Sequence, residues 1–455
     1  MKPVQRPPRS GLNPGGSMPA NTVNPEKVLS KVVWRLLPFM MLLGIVHQLD
    51  RINISYAALQ MNKDIGLTAT AFGFGAGLFS LTTLFLEIPS NYIQLRVGTR
   101  LWFTRIMVTW GLAAMAMSLV QGPYSFYFMR FVLGAAEAGF LAGTIFYFRG
   151  WLPAGIRGKV LGTFASYAVI AFLLAGPVST TLMSVFDGSY GLRGWQMMYI
   201  LEGAPAVLLG VAVFFYLPDH PADAKWLTSD EQQWLNQTLE SEYAAQGDRG
   251  RETFWDGLKD RRVLMVALLC FFILVTNFGL ATWLPQIVKS FGTLSNTEVG
   301  WLTSVPYLFA IPAMFLWGRH SDRVGERRWH LISGYLTVAA GFAIAALAPT
   351  PVISFIGICI GAVGLYSTFG PFWALPSDFL KAGAAAAGLA LVNSGGAVGG
   401  FVGPYLMGFL RDHTNGFQAS LLVLACSGLS AALVSSYFRS RGATRGAGVP
   451  APTTP

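Results

Sequence analysis

The chain has 455 residues, 53% of them hydrophobic and only 12% charged, with a formal net charge of +10. Soluble domains carry about twice that charged fraction, near 25%, and here the apolar residues fall in repeated runs of bilayer-spanning length. These features exclude a soluble enzyme, and the distribution of the positive charge excludes nucleic acid as its partner.

Residues 1–30 are rich in Pro, Gly, Ser and Asn and read as a disordered tail, as do residues 439–455. No short apolar core followed by a small-residue cleavage site marks a signal peptide, so the first span is expected to stay in the mature protein. Twelve helical spans are expected, at about 33–58, 71–94, 101–120, 124–149, 159–185, 195–217, 262–289, 297–317, 329–348, 352–375, 384–410 and 417–438. They divide into an N-terminal six-helix half, 31–217, and a C-terminal half, 262–438. Between them lies the one long polar segment, the linker 218–261. Within it Thr228-Ser229-Asp230-Glu231 has the form of a capping box and should start a short surface helix through Trp234, Leu235 and Leu239. Cys270, Cys359 and Cys426 are odd in number and lie in apolar runs, which argues against a disulfide framework or a metal site.

Lys and Arg give the orientation. Among the loops and segment ends, those facing the side of the N-terminus carry nearly all of them, and the opposite side carries only Lys63, Arg193, Lys289 and Arg411. Both termini are therefore expected in the cytoplasm, with the protein multi-pass in the cell (inner) membrane. The halves also repeat. Arg96-Val97-Gly98-Thr99-Arg100-Leu101-Trp102 recurs as Arg323-Val324-Gly325-Glu326-Arg327-Arg328-Trp329, and Gly176-Pro177 recurs as Gly403-Pro404 (403 − 176 = 227), both at one offset. The expected fold class is thus all-α and polytopic, twelve transmembrane helices in two six-helix pseudo-repeats. Parallel repeats of this kind place a substrate site at their interface near the midplane and work by alternating access.

Charge inside the spans points to the site. The first span runs from Trp34 through Leu42-Leu43-Gly44-Ile45-Val46 into His47-Gln48-Leu49-Asp50-Arg51-Ile52-Asn53. A charge at helix centre costs roughly 2.5–3.5 kcal/mol on insertion scales, so Asp50 and Arg51 imply a polar cavity. The fourth span carries Arg130 and Glu137, nearly two turns apart on one face and about 10 Å along the axis. Arg51 and Arg130 fall at one depth, which suits an anion bearing a carboxylate, since guanidinium grips carboxylate bidentately. Asp50 and Glu137 can hold a proton there and compete with the anion for an arginine, coupling the two movements. The alternative is that all four form fixed ion pairs that only tie the first and fourth spans together. The repeat register maps Asp50 to Asn277, Arg51 to Phe278 and Glu137 to Gly364, so the ionisable groups belong to one half. Asn277, Trp373 and Asn393 are the substrate-binding candidates of the other, alongside Arg51 and Arg130. His47 and Tyr366 are accessory candidates, although a histidine at such a place is more often structural. Glu87 is expected to contact loop arginines rather than substrate, and Glu202 to act as a structural hydrogen-bonding group.

Gly73-Phe74-Gly75-Ala76-Gly77 echoes a dinucleotide loop but follows no strand, and no Walker loop, nucleophile–histidine arrangement or zinc-ligand spacing is present. No cofactor and no metal are expected.

Gly318-Arg319-His320-Ser321-Asp322-Arg323-Val324-Gly325-Glu326-Arg327-Arg328 resembles the loop signature of the major facilitator superfamily, with a degraded copy at Ser90 to Arg100. Asp50-Arg51-Ile52-Asn53, Glu87-Ile88-Pro89-Ser90-Asn91, Arg130 to Glu137-Ala138-Gly139, Gly194-Trp195-Gln196 with Glu202-Gly203, Trp283-Leu284-Pro285-Gln286, Phe372-Trp373-Ala374-Leu375-Pro376 and Asn393-Ser394 more specifically resemble its anion:cation symporter branch. The resemblance spans nearly all of residues 33–410. It implies the major facilitator fold and proton-coupled uptake of a small organic carboxylate (a dicarboxylate, sugar acid or aromatic acid) by a protein that works as a monomer. It also implies Asp50 and Glu137 as the proton-coupling acids, Arg51 as the carboxylate ligand, Arg130 acting near Glu137, and Trp373 and Asn393 lining the site. Thr83 and Ala397 stand where many relatives have a tyrosine and an asparagine, which points to a less polar pocket. An exchanger of two anions and a transporter-like sensor are the alternatives.

Overall fold

The computed structural model describes residues 23–246, 260–375 and 382–438; the first 22 residues of the expected tail 1–30, the expected tail 439–455, the linker segment 247–259 and Pro376 lie outside them. Among the described residues every regular element is helical. Ten spans are long and apolar enough to cross a membrane. They are α1 (Pro25–Asp64), α2 (Ala69–Val97), α4 (Pro123–Glu137) with α5 (Phe140–Arg149), α6 (Ala154–Val185), α7 (Gly194–Tyr216), α9 (Arg261–Lys289), α10 (Asn296–Val324), α11 (Arg328–Leu347), α12 (Pro351–Ser367) with α13 (Phe369–Ala374), and α15 (Gln418–Ser436). α3 (Thr99–Ala116), packed on α7, and α14 (Ala382–Thr414), packed between α2 and α9, complete the twelve.

The first helix starts earlier than the composition implied, so the expected tail is six residues too long. Asn24-Pro25-Glu26 is a complete start signal: the Asn24 side chain accepts from the Lys27 N–H at 3.2 Å, proline occupies the first turn, and an acid faces the positive end of the helix dipole. Val28 and Val32 are already buried. Two expected spans are broken. The fourth separates at Ala138-Gly139, where Gly139 takes φ +94°, a conformation that strains any residue with a Cβ. The freed carbonyls find partners: Arg105 Nη1 donates to Ala136 O at 3.1 Å and Ser90 Oγ to Ala138 O at 2.5 Å. The tenth separates at Thr368.

The linker begins as expected. Thr228 Oγ1 accepts from the Glu231 N–H while Glu231 Oε2 accepts from the Thr228 N–H, and α8 (Ser229–Gln246) follows. Leu235 and Leu239 bury against the cluster that contains Val28, Val32 and Leu36, and Glu242 accepts from the Ala154 N–H that opens α6.

Helices of the two sequence halves meet as α2 with α14 and α6 with α10, and α1 lies against α9. At one end of the bundle these pairs touch backbone to backbone. A Cβ on Gly176 in α6 would lie 2.1 Å from Gly300 O in α10, and one on Gly73 in α2 would lie 2.4 Å from Pro404 O in α14. Asp412, late in α14, takes the N-terminus of α2: its oxygens accept from Ala69 N at 3.1 Å, Thr70 N at 2.7 Å and Thr70 Oγ1 at 2.6 Å. This end is closed. Gly176→Val should force α6 and α10 apart and cost about 1–3 kcal/mol, seen as a lower melting temperature of the purified protein; an unchanged value would contradict the backbone contact.

Candidate functional site

From the closed end a cavity of about 1280 Å³ runs between the helix pairs toward the opposite, arginine-bearing end, where Glu87, Arg319, Asp322 and Arg323 line it. Three of the sequence candidates meet in its wall. His47 Nε2 lies 2.6 Å from Glu137 Oε1, and Arg51 Nε lies 3.5 Å from the same oxygen. The spacing explains the meeting: His47 and Arg51 are one helical turn apart on α1 and share a face, and the break after Glu137 frees the end of α4 to present its carboxylate to both. The Arg51 guanidinium lies 5.0 Å from the centre of the Phe79 ring and 5.7 Å from that of Phe278, so aromatic faces from α2 and α9 hold it from the sides. His47 stacks on Phe140 at 4.6 Å and meets Trp110 edge-on.

Asp50 and Arg130 do not join them in the cavity wall, which corrects the expectation of one chamber shared by four charges. Adjacent residues on a helix point about 100° apart, so Arg51 facing the cavity turns Asp50 toward α3. There Asp50 is 1% exposed, its Oδ2 accepting from Trp110 Nε1 at 2.7 Å and its Oδ1 from Asn53 Nδ2 at 3.2 Å. Arg130, 3% exposed, donates from Nε to Gly75 O at 3.3 Å and from Nη2 to Ala76 O at 3.4 Å. It lies 4.8 Å from the centre of the Phe79 ring that Arg51 also faces, so the two arginines share a depth without sharing the opening.

The other wall holds the remaining candidates. Asn277, Tyr366, Trp373 and Asn393 all line the cavity, and the Tyr366 hydroxyl donates to Asn277 Oδ1 at 3.1 Å. Phe278, Phe369 and Phe172 add apolar rings, and Thr83 and Ala397 line it too, leaving room where longer polar side chains would reach in. Glu87 also faces the cavity that Arg51 lines. Its place near a span end and beside Pro89 pointed to the loops; only the turn it occupies, one above Thr83, could have revealed its facing. Glu202 is buried away from the cavity, accepting from Ser179 Oγ at 2.7 Å.

A polytopic helical bundle with a one-ended central cavity, and a charged cluster in the wall of that cavity, is the arrangement of a membrane transporter. Residues 40–294 and 271–453 match the family model described as Major Facilitator Superfamily. An Agrobacterium vitis protein named "Putative tartrate transporter" is 45% identical over 399 residues, covering 88% of each chain. An Acinetobacter baumannii protein named "Quinolone resistance transporter" is 39% identical over 400 residues, covering 88% of this chain and 92% of that one. The solved inward-open xylose transporter XylE from E. coli shares the fold with a TM-score of 0.73 at 16% identity, covering 90% of this chain and 98% of that one. The chain belongs to the major facilitator superfamily and is a transporter, not an enzyme. Its relatives agree with the resemblance to anion:cation symporters read from the motifs.

The shared carboxylate oxygen has a direct consequence for anion binding. Glu137→Gln removes the charge that occupies Arg51, so a carboxylate probe such as benzoate should bind about tenfold tighter, ~1.4 kcal/mol. Arg51→Ala should abolish that binding. Thermal-shift titrations of the two variants check both; equal affinity in Glu137→Gln and the unaltered protein would show that Arg51 is not held back by Glu137.

Proposed function

We propose that the protein imports a small organic carboxylate together with a proton across the cell (inner) membrane. The observation that supports this most is the single Glu137 oxygen facing both His47 and Arg51 in the wall of an open cavity. With Glu137 ionised, Arg51 is neutralised within the protein and has little attraction left for an anion. A proton arriving on Glu137, which His47 contacts directly, removes that competitor. The guanidinium then pairs with the incoming carboxylate, and the loaded chamber carries no more charge than the empty one. Release of the anion lets Glu137 give up its proton and recapture Arg51.

The arginine-rich end is cytoplasmic by the distribution of Lys and Arg. Both termini then lie in the cytoplasm and the cavity faces inward, the state in which an importer releases its load. Asp50 and Arg130 act from behind the wall in this reading. Asp50 holds α1 to α3 through Trp110, and Arg130 fixes α4 against α2. Asn277, Tyr366, Trp373 and Asn393 take the body of the substrate. Among the described residues Arg51 is the arginine of the cavity wall that meets Glu137, and the opposite side brings Phe278, Tyr366, Phe369 and Trp373 beside the two amides Asn277 and Asn393. One carboxylate on a flat or short apolar body fits this better than a sugar acid. The relative named for tartrate makes a dicarboxylate the comparison to test.

Reconstituted vesicles decide the matter. With an imposed inward proton gradient, labelled benzoate or L-tartrate should accumulate above its equilibrium level, and collapse of the gradient should stop accumulation. Glu137→Gln should lose at least about tenfold of the gradient-driven uptake while still exchanging labelled for unlabelled anion. Accumulation that needs an internal counter-anion and ignores the gradient would make the protein an exchanger. Binding without movement would make it a sensor.

A further inference from the structure

Behind the cavity wall lies a second acidic group that the cycle above does not use. Asp50 on α1 and Glu202 on α7, two helices packed on each other, are 1% and 6% exposed, and among the described residues neither forms an ion pair. The arginines of the region are committed elsewhere, Arg51 to Glu137 and Arg130 to the carbonyls of α2. Asn53, one turn after Asp50, links the two acids: its amide donates to Asp50 Oδ1 and also lies within reach of Glu202. Each acid has one further donor, Trp110 Nε1 for Asp50 and Ser179 Oγ for Glu202. Two buried acceptors in this cluster have no hydrogen-bonding partner, Glu202 Oε2 and Asn53 Oδ1.

Two carboxylates together at bilayer depth without a cation repel each other and lack solvation, and the cheapest remedy is a hydrogen on one of them. The Tyr199 hydroxyl is an unpartnered donor beside these two unpartnered acceptors, which still leaves the cluster one donor short and calls for the same thing. The other titratable groups facing Glu202 are Tyr199 on its own helix and Tyr56 on α1, and neither supplies positive charge. From α6 and α3 the cluster receives only the Ser179 hydroxyl and the Trp110 indole.

We propose that Glu202 is a further proton-holding residue of the transport cycle, carrying its hydrogen on Oε2 in a buried pair with Asp50, out of contact with substrate. Neither acid lines the cavity, and the pair reaches its wall only through Asp50, the residue before Arg51 on α1. Its charge therefore bears on Glu137: with the hydrogen on Glu202 one negative charge lies behind Glu137, and loss of that hydrogen adds a second, which favours protonation of Glu137 and release of Arg51. The role rests on the proton-coupled reading, but the protonation itself is measurable without any substrate.

The full chain in lipid vesicles is taken from acid to alkaline pH while infrared difference spectra record the C=O stretch of protonated carboxylic acids. The expected result is a buried-carboxyl band that Glu202→Gln deletes and Ser179→Ala shifts, because that variant removes the donor to Oε1 and leaves the acid in place. A carboxyl region in Glu202→Gln that superimposes on that of the unaltered protein at every pH overturns the proposal. Where Glu202→Gln does not fold, Ser179→Ala decides alone, and an unmoved band overturns it. Benzoate uptake in the same vesicles separates the two claims. Gradient-driven uptake with no Glu202 band removes this inference and spares proton coupling. A Glu202 band in a protein whose uptake ignores the gradient keeps the proton on Glu202, refutes proton coupling and overturns the residue's part in the cycle.

Discussion

One carboxylate oxygen shared by a histidine and an arginine is the constraint around which the cavity is built. A lone guanidinium facing the interior of an apolar bundle is costly, and so is a lone carboxylate. Placing Glu137 3.5 Å from Arg51 cancels most of that cost while the chamber is empty. The neutralisation stays conditional, because Arg51 lines an open cavity and is not sealed in the protein. A buried pair with every atom satisfied would serve only as a brace. This pair has one partner open to the cavity and the other next to an imidazole.

Arg130 shows the contrast. It has the same charge, a similar depth and the same aromatic neighbour, yet it donates to two backbone carbonyls of α2 and lines nothing. Those carbonyls belong to Gly75 and Ala76, small residues that let α4 approach closely; a Cβ on Gly75 would already meet Phe126. Arg130 is thus part of the packing that holds α2 against α4, and through Phe79 it supports the ring that Arg51 faces. Removing it would alter the site by displacing Phe79 and Glu137.

The spans, the offset between the halves and the capping box at Thr228 were legible because each rests on a local pattern: an apolar run, a repeated string, a residue pair three apart. Facing was not. In helices apolar on nearly every side, periodicity carries little signal, and the neighbours Asp50 and Arg51 gave no clue which of them would turn inward. The break at Gly139 was equally hidden, since Ala138-Gly139 sits inside an apolar run and its cost is met by Arg105 and Ser90, remote in sequence. His47 illustrates the reverse. One turn before Arg51 it was legible as an accessory candidate, although such a histidine is more often structural, and the structure sets it against the same acid as Arg51.

The closed end carries the repeat into three dimensions. Gly73 and Gly300 are related by the offset that relates Gly176 to Gly403 (300 − 73 = 227), and Gly300 meets Gly176 as Gly73 meets Pro404, the residue after Gly403. Both contacts join backbone to backbone across small residues. Surfaces of this kind separate without unlocking interdigitated side chains, as rocking halves require. The polar ties laid over them are unequal. Asp412 makes three hydrogen bonds to the start of α2, and its repeat equivalent is Val185 (412 − 227 = 185), which can make none. On the other side Ser304 Oγ donates to Leu173 O, and Tyr56 and Thr303 share a hydroxyl contact, all uncharged. Charge-assisted bonds are roughly twice as strong as neutral ones, so the α2–α14 contact is the firmer of the two.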